Sequence, residues 1–332
     1  MSQKRRQRLF LLALLVLSLS GFCLSLKLGP VQTSWGELFR SIFAGQGEFY
    51  GIILNLRLPR AVLAYLVGAA LALAGAILQG YFRNPLADPF ILGASSGASL
   101  GAVLSLQLGL AVNLAGLSAQ SLLAFLTSLM LVGTVYLISE RRRFQTGESL
   151  LLTGIAAGAL ASALTSFLLF RRADAYEQAV FWLLGSFSLA EWRQAWLLLA
   201  AVLPGLFLAQ RLARDMNLLS LGEETARSLG SPVKTVRRIF LLLATLLASF
   251  SVSVAGIIGF VGLIVPHAVR LIIGPDHRRL FIYAALAGGL FLLLSDLVAR
   301  TIYSPSELPV GVVTAAFGAP FFIYLLNRRR RD

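Results

Sequence analysis

The sequence predicts an all-α polytopic membrane protein of about ten transmembrane helices, and three observations carry that reading. Of 332 residues, 57% are hydrophobic and only 13% are charged, far below the charge of an average soluble domain. Apolar runs near the ~20 residues needed to cross a bilayer recur from one end of the chain to the other. The basic residues lie in short segments between those runs, so a net charge of +14 reads as membrane topology and not as nucleic-acid binding. The chain is read as a single transmembrane domain over 1–332.

The first span is 9–26. Lys4, Arg5, Arg6 and Arg8 before it imitate a secretory signal. A lipoprotein reading of Cys23 fails because Phe22 stands where a small residue is needed, so this run is expected to remain as a helix. Further spans are expected at 61–81, 90–112, 118–139, 149–170, 194–211, 236–256, 281–300 and 309–327. A shorter run at 260–273 carries Pro266 and His267 and brings the count to ten. With ten spans both termini lie in the cytoplasm, in a cell (inner) membrane, and 21 of the 29 Lys and Arg fall inside against eight outside. That bias agrees with the positive-inside rule.

Within the spans, small residues recur every fourth position at Gly93, Gly97, Gly101, at Gly154, Gly158, Ser162, Ser166, and at Gly311, Ala315. Such faces let helix backbones approach closely. Pro204 and Pro320 fall inside spans. Gly256, Gly259 and Gly262 before Pro266 predict irregular buried backbone over 256–266.

Several chemistries are excluded. Cys23 is the sole cysteine, so no intrachain disulfide forms. His267 and His277 are the only histidines and fall apart from each other, so no metal cluster is expected. None of Lys4, Lys27 and Lys234 follows a glycine, so the phosphate cradle of a P-loop is absent and the chain cannot hydrolyse ATP that way. No catalytic set stands out. Asp296 is the one carboxylate well inside a span and is expected to pair with Arg300 four residues on. An ion-coupled secondary transporter would need more intramembrane titratable groups. Asp88 reads as a turn or helix cap.

The segment from Met216 to Pro232 is the most informative. Ser220 with Glu223 forms a capping-box pattern, and Gly230 before Pro232 forms a stop. The spacing predicts a helix over 221–229, with Leu221, Thr225, Ala226 and Leu229 on one side. A helix this short is marginal alone and calls for a docking partner.

The run Glu224-x-Ala226-x-x-x-Gly230 resembles the coupling helix of ABC importer permeases. In order along the chain stand Arg57-Leu58-Pro59-Arg60, Arg83-Asn84-Pro85-Leu86-Ala87-Asp88-Pro89, Leu92-Gly93-Ala94-Ser95-Ser96-Gly97, Trp182-Leu183-Leu184-Gly185-Ser186, Gly259-Phe260-Val261-Gly262-Leu263-Ile264-Val265-Pro266-His267 and Leu308-Pro309-Val310-Gly311. These segments resemble the iron-chelate and cobalamin importer permease family, of the FecCD type. The resemblance implies a type II ABC importer permease fold of ten helices that includes the short span. It also implies a homodimer with a second permease copy, two ABC ATPase subunits inside and an extracytoplasmic substrate-binding protein outside. Ser220, Leu221, Gly222, Glu223, Glu224, Ala226, Leu229 and Gly230 are then the ATPase-coupling residues. Arg57, Arg60 and Arg300 are expected to receive carboxylates of the docked binding protein, and Asn84 and Leu86 to lie at a cytoplasmic gate. The chain is expected to bind no cofactor, with ATP used by the partner ATPase. Its cargo is expected to be a ferric siderophore or related chelate, with cobalamin and haem as alternatives.

Overall fold

The computed structural model describes residues 3–110, 112–114, 116–141, 147–171 and 176–329. Each of the ten apolar runs is helical. The first is α1 (Gln3–Lys27), followed by a single-turn helix α2 (Trp35–Phe39) whose capping box joins Ser34 to Glu37. A wider turn over Ile52–Arg57 leads into α3 (Leu58–Tyr81), with Pro59 in its first turn, where its missing N–H costs nothing. Next come α4 (Ala94–Gln107), a small antiparallel hairpin β1 (Asn113–Leu114) and β2 (Leu117–Ser118), α5 (Ala119–Arg141) and α6 (Gly147–Arg171). The short α7 (Tyr176–Leu183), α8 (Trp192–Arg211), α9 (Ala213–Ser220) and α10 (Glu223–Ser228) precede α11 (Val233–Ala255). The chain closes with α12 (Val261–Ile273), α13 (His277–Thr301) and α14 (Val310–Arg329).

Seven of the helices among the described residues are long and apolar enough to cross a membrane. Among the other apolar runs, α4 and α12 are short, for physical reasons visible at their starts. The run expected at 90–112 is helical only from Ala94, because Asp88 caps a 3-10 turn over Pro89–Leu92 and Gly93 takes a φ of 89°. Irregular backbone expected over 256–266 is confined to 256–260. Gly256 at φ 72° and Phe260 at φ 70° turn the chain, and α12 then runs through Pro266.

The centre of the bundle is α3, of which nearly every residue from Ala61 to Gly80 is buried. It packs against α13, α11, α12 and α8. Its run of Gly and Ala makes this possible: a Cβ on Gly68 would overlap the carbonyl of Gly288 in α13, and one on Gly75 would overlap the carbonyl of Gly262 in α12. The expected small faces are used in the same way, Gly97 and Gly101 against α5 and Gly154 against Ile91 and Leu92.

Where α3 meets α12 a polar debt is settled. Pro266 has no N–H for the carbonyl of Gly262 one turn earlier. Gln79 donates its Nε2 to that carbonyl at 3.3 Å and to Leu263 O at 2.9 Å.

Candidate functional sites at the two ends of the bundle

Helix direction alternates along the chain, which gathers α9, α10, the start of α11 and the 82–93 loop at one end, and α2, α7 and the β1–β2 hairpin at the other.

At the first end the predicted helix 221–229 is corrected. Ser220 is the last residue of α9, and its hydroxyl donates to Asn217 O at 2.6 Å instead of capping Glu223. Gly222, at φ 128°, makes the break, and α10 has only six residues. The Ser-x-x-Glu pattern was a false start because Leu218–Leu221 already completes the preceding helix. Of the expected face only Ala226 is buried; Leu221 is 68% exposed and Leu229 56%.

This segment is fixed to the body at defined points. Asn217 donates to Asp276 at 2.6 Å and accepts from the His277 N–H at 3.0 Å, which ties α9 to the start of α13. Ser231 donates to Asp215 at 2.8 Å, and Gly230, at φ 82°, closes α10 by donating to Arg227 O. Glu223 forms an ion pair with Arg237 of α11, whereas Glu224 is exposed. A groove of about 840 Å³ runs between this segment and the 82–84 turn, lined by Arg83, Asn84, Glu148, Leu221, Glu223 and Glu224 among others. Asn84 is thereby brought beside the α9–α10 segment, its side chain accepting from Leu86 N at 2.9 Å. Asp88 is a cap, as expected, accepting from Phe90 N at 2.8 Å. Burial pushes its carboxyl up to about 6, opposed by that hydrogen bond.

At the opposite end Arg57, Arg60 and Arg300 come together, and all three are engaged within the chain. Buried Arg57 donates to Leu26 O at 2.7 Å, Lys27 O at 3.1 Å, Thr33 at 3.2 Å and Val31 O, gathering the loop after α1. Arg60 makes a bidentate contact to Asp296, at 2.8 and 3.1 Å, and a second to Glu307 at 2.9 Å. The expected Asp296–Arg300 pair is present at 3.7 Å, but it is the longer of the two. Arg300 is otherwise held by Ser25. A carboxylate arriving from another protein would have to displace one of these partners.

Two of the sequence segments, 182–186 and 308–311, also meet here beside the end of α11. The first N–H groups of α14 have no partners inside their own helix; Val310 donates to Gly185 O at 3.0 Å and Gly311 to Leu184 O at 3.2 Å. Ser186 donates to Ala255 O at 2.9 Å, and a Cβ at Gly311 would overlap the Leu184 carbonyl. No group of three or more His, Cys, Asp or Glu that could hold a metal occurs among the described residues.

Sequence reasoning missed Gln79, Arg237, Tyr81 and Glu307. Their partners lie 14 to 247 residues away, and no local pattern signals such pairs.

Comparison with known proteins decides the family: the model of the FecCD transport family matches residues 14–328. The chain belongs to the FecCD transport family. The vitamin B12 import system permease protein BtuC of Shigella boydii is 41% identical over 99% of this chain and 98% of its own length. The hemin transport system permease protein HmuU of Yersinia pestis is 40% identical over 97% of this chain and 96% of its own. A solved structure of a metal-chelate type ABC transporter in an inward-facing conformation superposes with a TM-score of 0.85 at 33% identity, covering 96% of this chain and 98% of that one. The FecCD chain is therefore a multi-pass ABC importer permease with the type II fold, a transport subunit.

Proposed function

We propose that this permease is the membrane-spanning half of an ATP-driven importer of a large metal chelate, working as a homodimer with two ABC ATPases and an external binding protein. The observation that carries the reading is α10. The six-residue helix presents Glu224 outward and its flanking residues Leu221 and Leu229 are exposed beside it, on a segment otherwise pinned to the bundle, so apolar surface stands uncovered where the fold could have buried it. An isolated helix of this length is unstable in water, and an ATPase groove would cover it. The basic bias of the α10 end, with Lys234, Arg237, Arg238, Arg278 and Arg279 near it, supports placing that end and both termini in the cytoplasm.

Full-length relatives named for vitamin B12 and for hemin move the weight of the cargo assignment from a ferric siderophore toward a metal tetrapyrrole, with cobalamin the first to test. Closure of the ATPases on ATP would draw the two α10 segments together and reorient the pathway between two copies, with Asn84 and Leu86 near its cytoplasmic mouth. ATP would be consumed by the partner, and this chain would hold no cofactor. Docking of the binding protein at Arg57, Arg60 and Arg300 would exchange their internal partners for its carboxylates, which suit planar guanidinium groups.

The test is co-purification. A Leu221→Asp, Leu229→Asp chain should insert and purify normally but lose the co-expressed ATPase. Stoichiometric ATPase on that variant would sink the assignment of α10.

A further inference from the structure

What ties α10 to the membrane helices is narrow. The hydrogen bonds of Ser231 to Asp215 and of Asn217 to Asp276 hold the residues that flank it, and not α10 itself, to α9 and to the start of α13. Among the described residues, the one ion pair from α10 itself to a membrane helix is Glu223 with Arg237, one turn into α11. The Arg237 guanidinium also lies 4.4 Å from the ring centroid of Tyr81, the last residue of α3. One cation thus touches the coupling helix on one side and the end of the central helix on the other.

Three further observations make that contact a lever. The seams of α3 at Gly68 and Gly75 are backbone against backbone, with no flexible side chain to absorb a push. Immediately beyond Tyr81, Phe82 packs edge-on at 4.8 Å and Arg83 takes a φ of 51°, a conformation costly for a residue with a Cβ. The pair borders a cavity of about 140 Å³ lined by Tyr81, Glu223, Lys234 and Arg237, which leaves room for the guanidinium to move. Neighbouring Arg238 borders the same cavity but is engaged by Glu140 and Tyr136 of α5.

We propose that Arg237 is the residue that conveys movement of α10 to the end of α3 and so to the 82–86 turn, through its simultaneous contacts with Glu223 and Tyr81. The inference rests on α10 being the ATPase-coupling helix. Arg237 is a positioning residue: it need not touch the ATPase or the cargo.

The experiment uses the complete permease–ATPase complex in proteoliposomes, with Cys23→Ser and a reporter Asn84→Cys. Its readout is the rate of labelling by a membrane-impermeant maleimide, before and after trapping ATP with vanadate. With Arg237 in place, trapping should change that rate by about tenfold. Arg237→Gln should keep the ATPase bound and the nucleotide trapped, yet flatten the change. Arg237→Lys, which keeps a cation for both Glu223 and the Tyr81 ring, should retain most of it. A full change of labelling in Arg237→Gln would overturn the proposal. So would loss of the ATPase from that variant, since Arg237 would then serve docking. If the chain with Arg237 intact retains no ATPase at all, the reading of α10 fails first, which is a separate outcome.

Discussion

Asp296 is fully buried and sits between two guanidinium groups, Arg60 at 2.8 Å and Arg300 at 3.7 Å. Removing one partner of a buried pair leaves an uncompensated charge, so Arg60→Ala should cost about 3–5 kcal/mol, read as a lower thermal midpoint in detergent. An unchanged midpoint would mean that Arg300 alone suffices. Asp88 poses the opposite problem. An acid whose folded value is raised holds its proton more tightly folded than unfolded, so its contribution is best below the ordinary 3.8 and is lost as pH rises through about 6. At neutral pH the carboxylate is therefore a burden, reduced by its partial exposure to water. Asp88→Asn keeps an acceptor for the Phe90 N–H and should raise stability by roughly 1–2 kcal/mol near pH 7.5, with no gain near pH 4. Equal effects at both pH values would assign the change to capping alone. The local cap at Asp88 and the Asp296–Arg300 spacing were legible in the sequence. Arg60 as the main partner was not, because 236 residues separate it from Asp296.

Among the elements, the junction of α3 and α12 shows how a proline is accommodated inside a bundle. Gln79 supplies the donor that Pro266 lacks, and Gly75 lets the two backbones meet. Gln79→Leu should leave the Gly262 carbonyl without its partner and cost about 1–3 kcal/mol. Hydrogen exchange of α12 amides should speed up while those of α5 hold, and uniform exchange would contradict a local role. Hydropathy alone located nine of the apolar helices, since a run of apolar residues needs no tertiary information, and the short tenth, α12, came from the family resemblance. It overran the start of α4, where Asp88 and Gly93 impose a turn, and it misread α10. The Ser220–Glu223 spacing fits a capping box, but Ser220 was already committed to α9, and only Gly222 at φ 128° marks the true boundary.

Across the whole molecule, two ends with different chemistry are joined by one buried helix. The α10 end offers exposed apolar residues beside acidic and basic ones, and the opposite end holds a network of arginines closed on internal carboxylates. Order of motifs along the chain was enough to anticipate the family and the type II fold. The arrangement by which α3 links the ends was not legible, because it depends on glycine contacts between segments nearly 200 residues apart, such as Gly75 and Gly262. The central claim is that transport through this permease is powered by a separate ATPase. It is tested most directly by uptake of radiolabelled cyanocobalamin, presented on the cognate binding protein, into proteoliposomes holding the chain with or without its ATPase. Uptake that requires both the ATPase and ATP, and that ignores ionophores, is the predicted result. Uptake that persists without the ATPase and collapses with the ion gradient would contradict it and make the chain a secondary transporter.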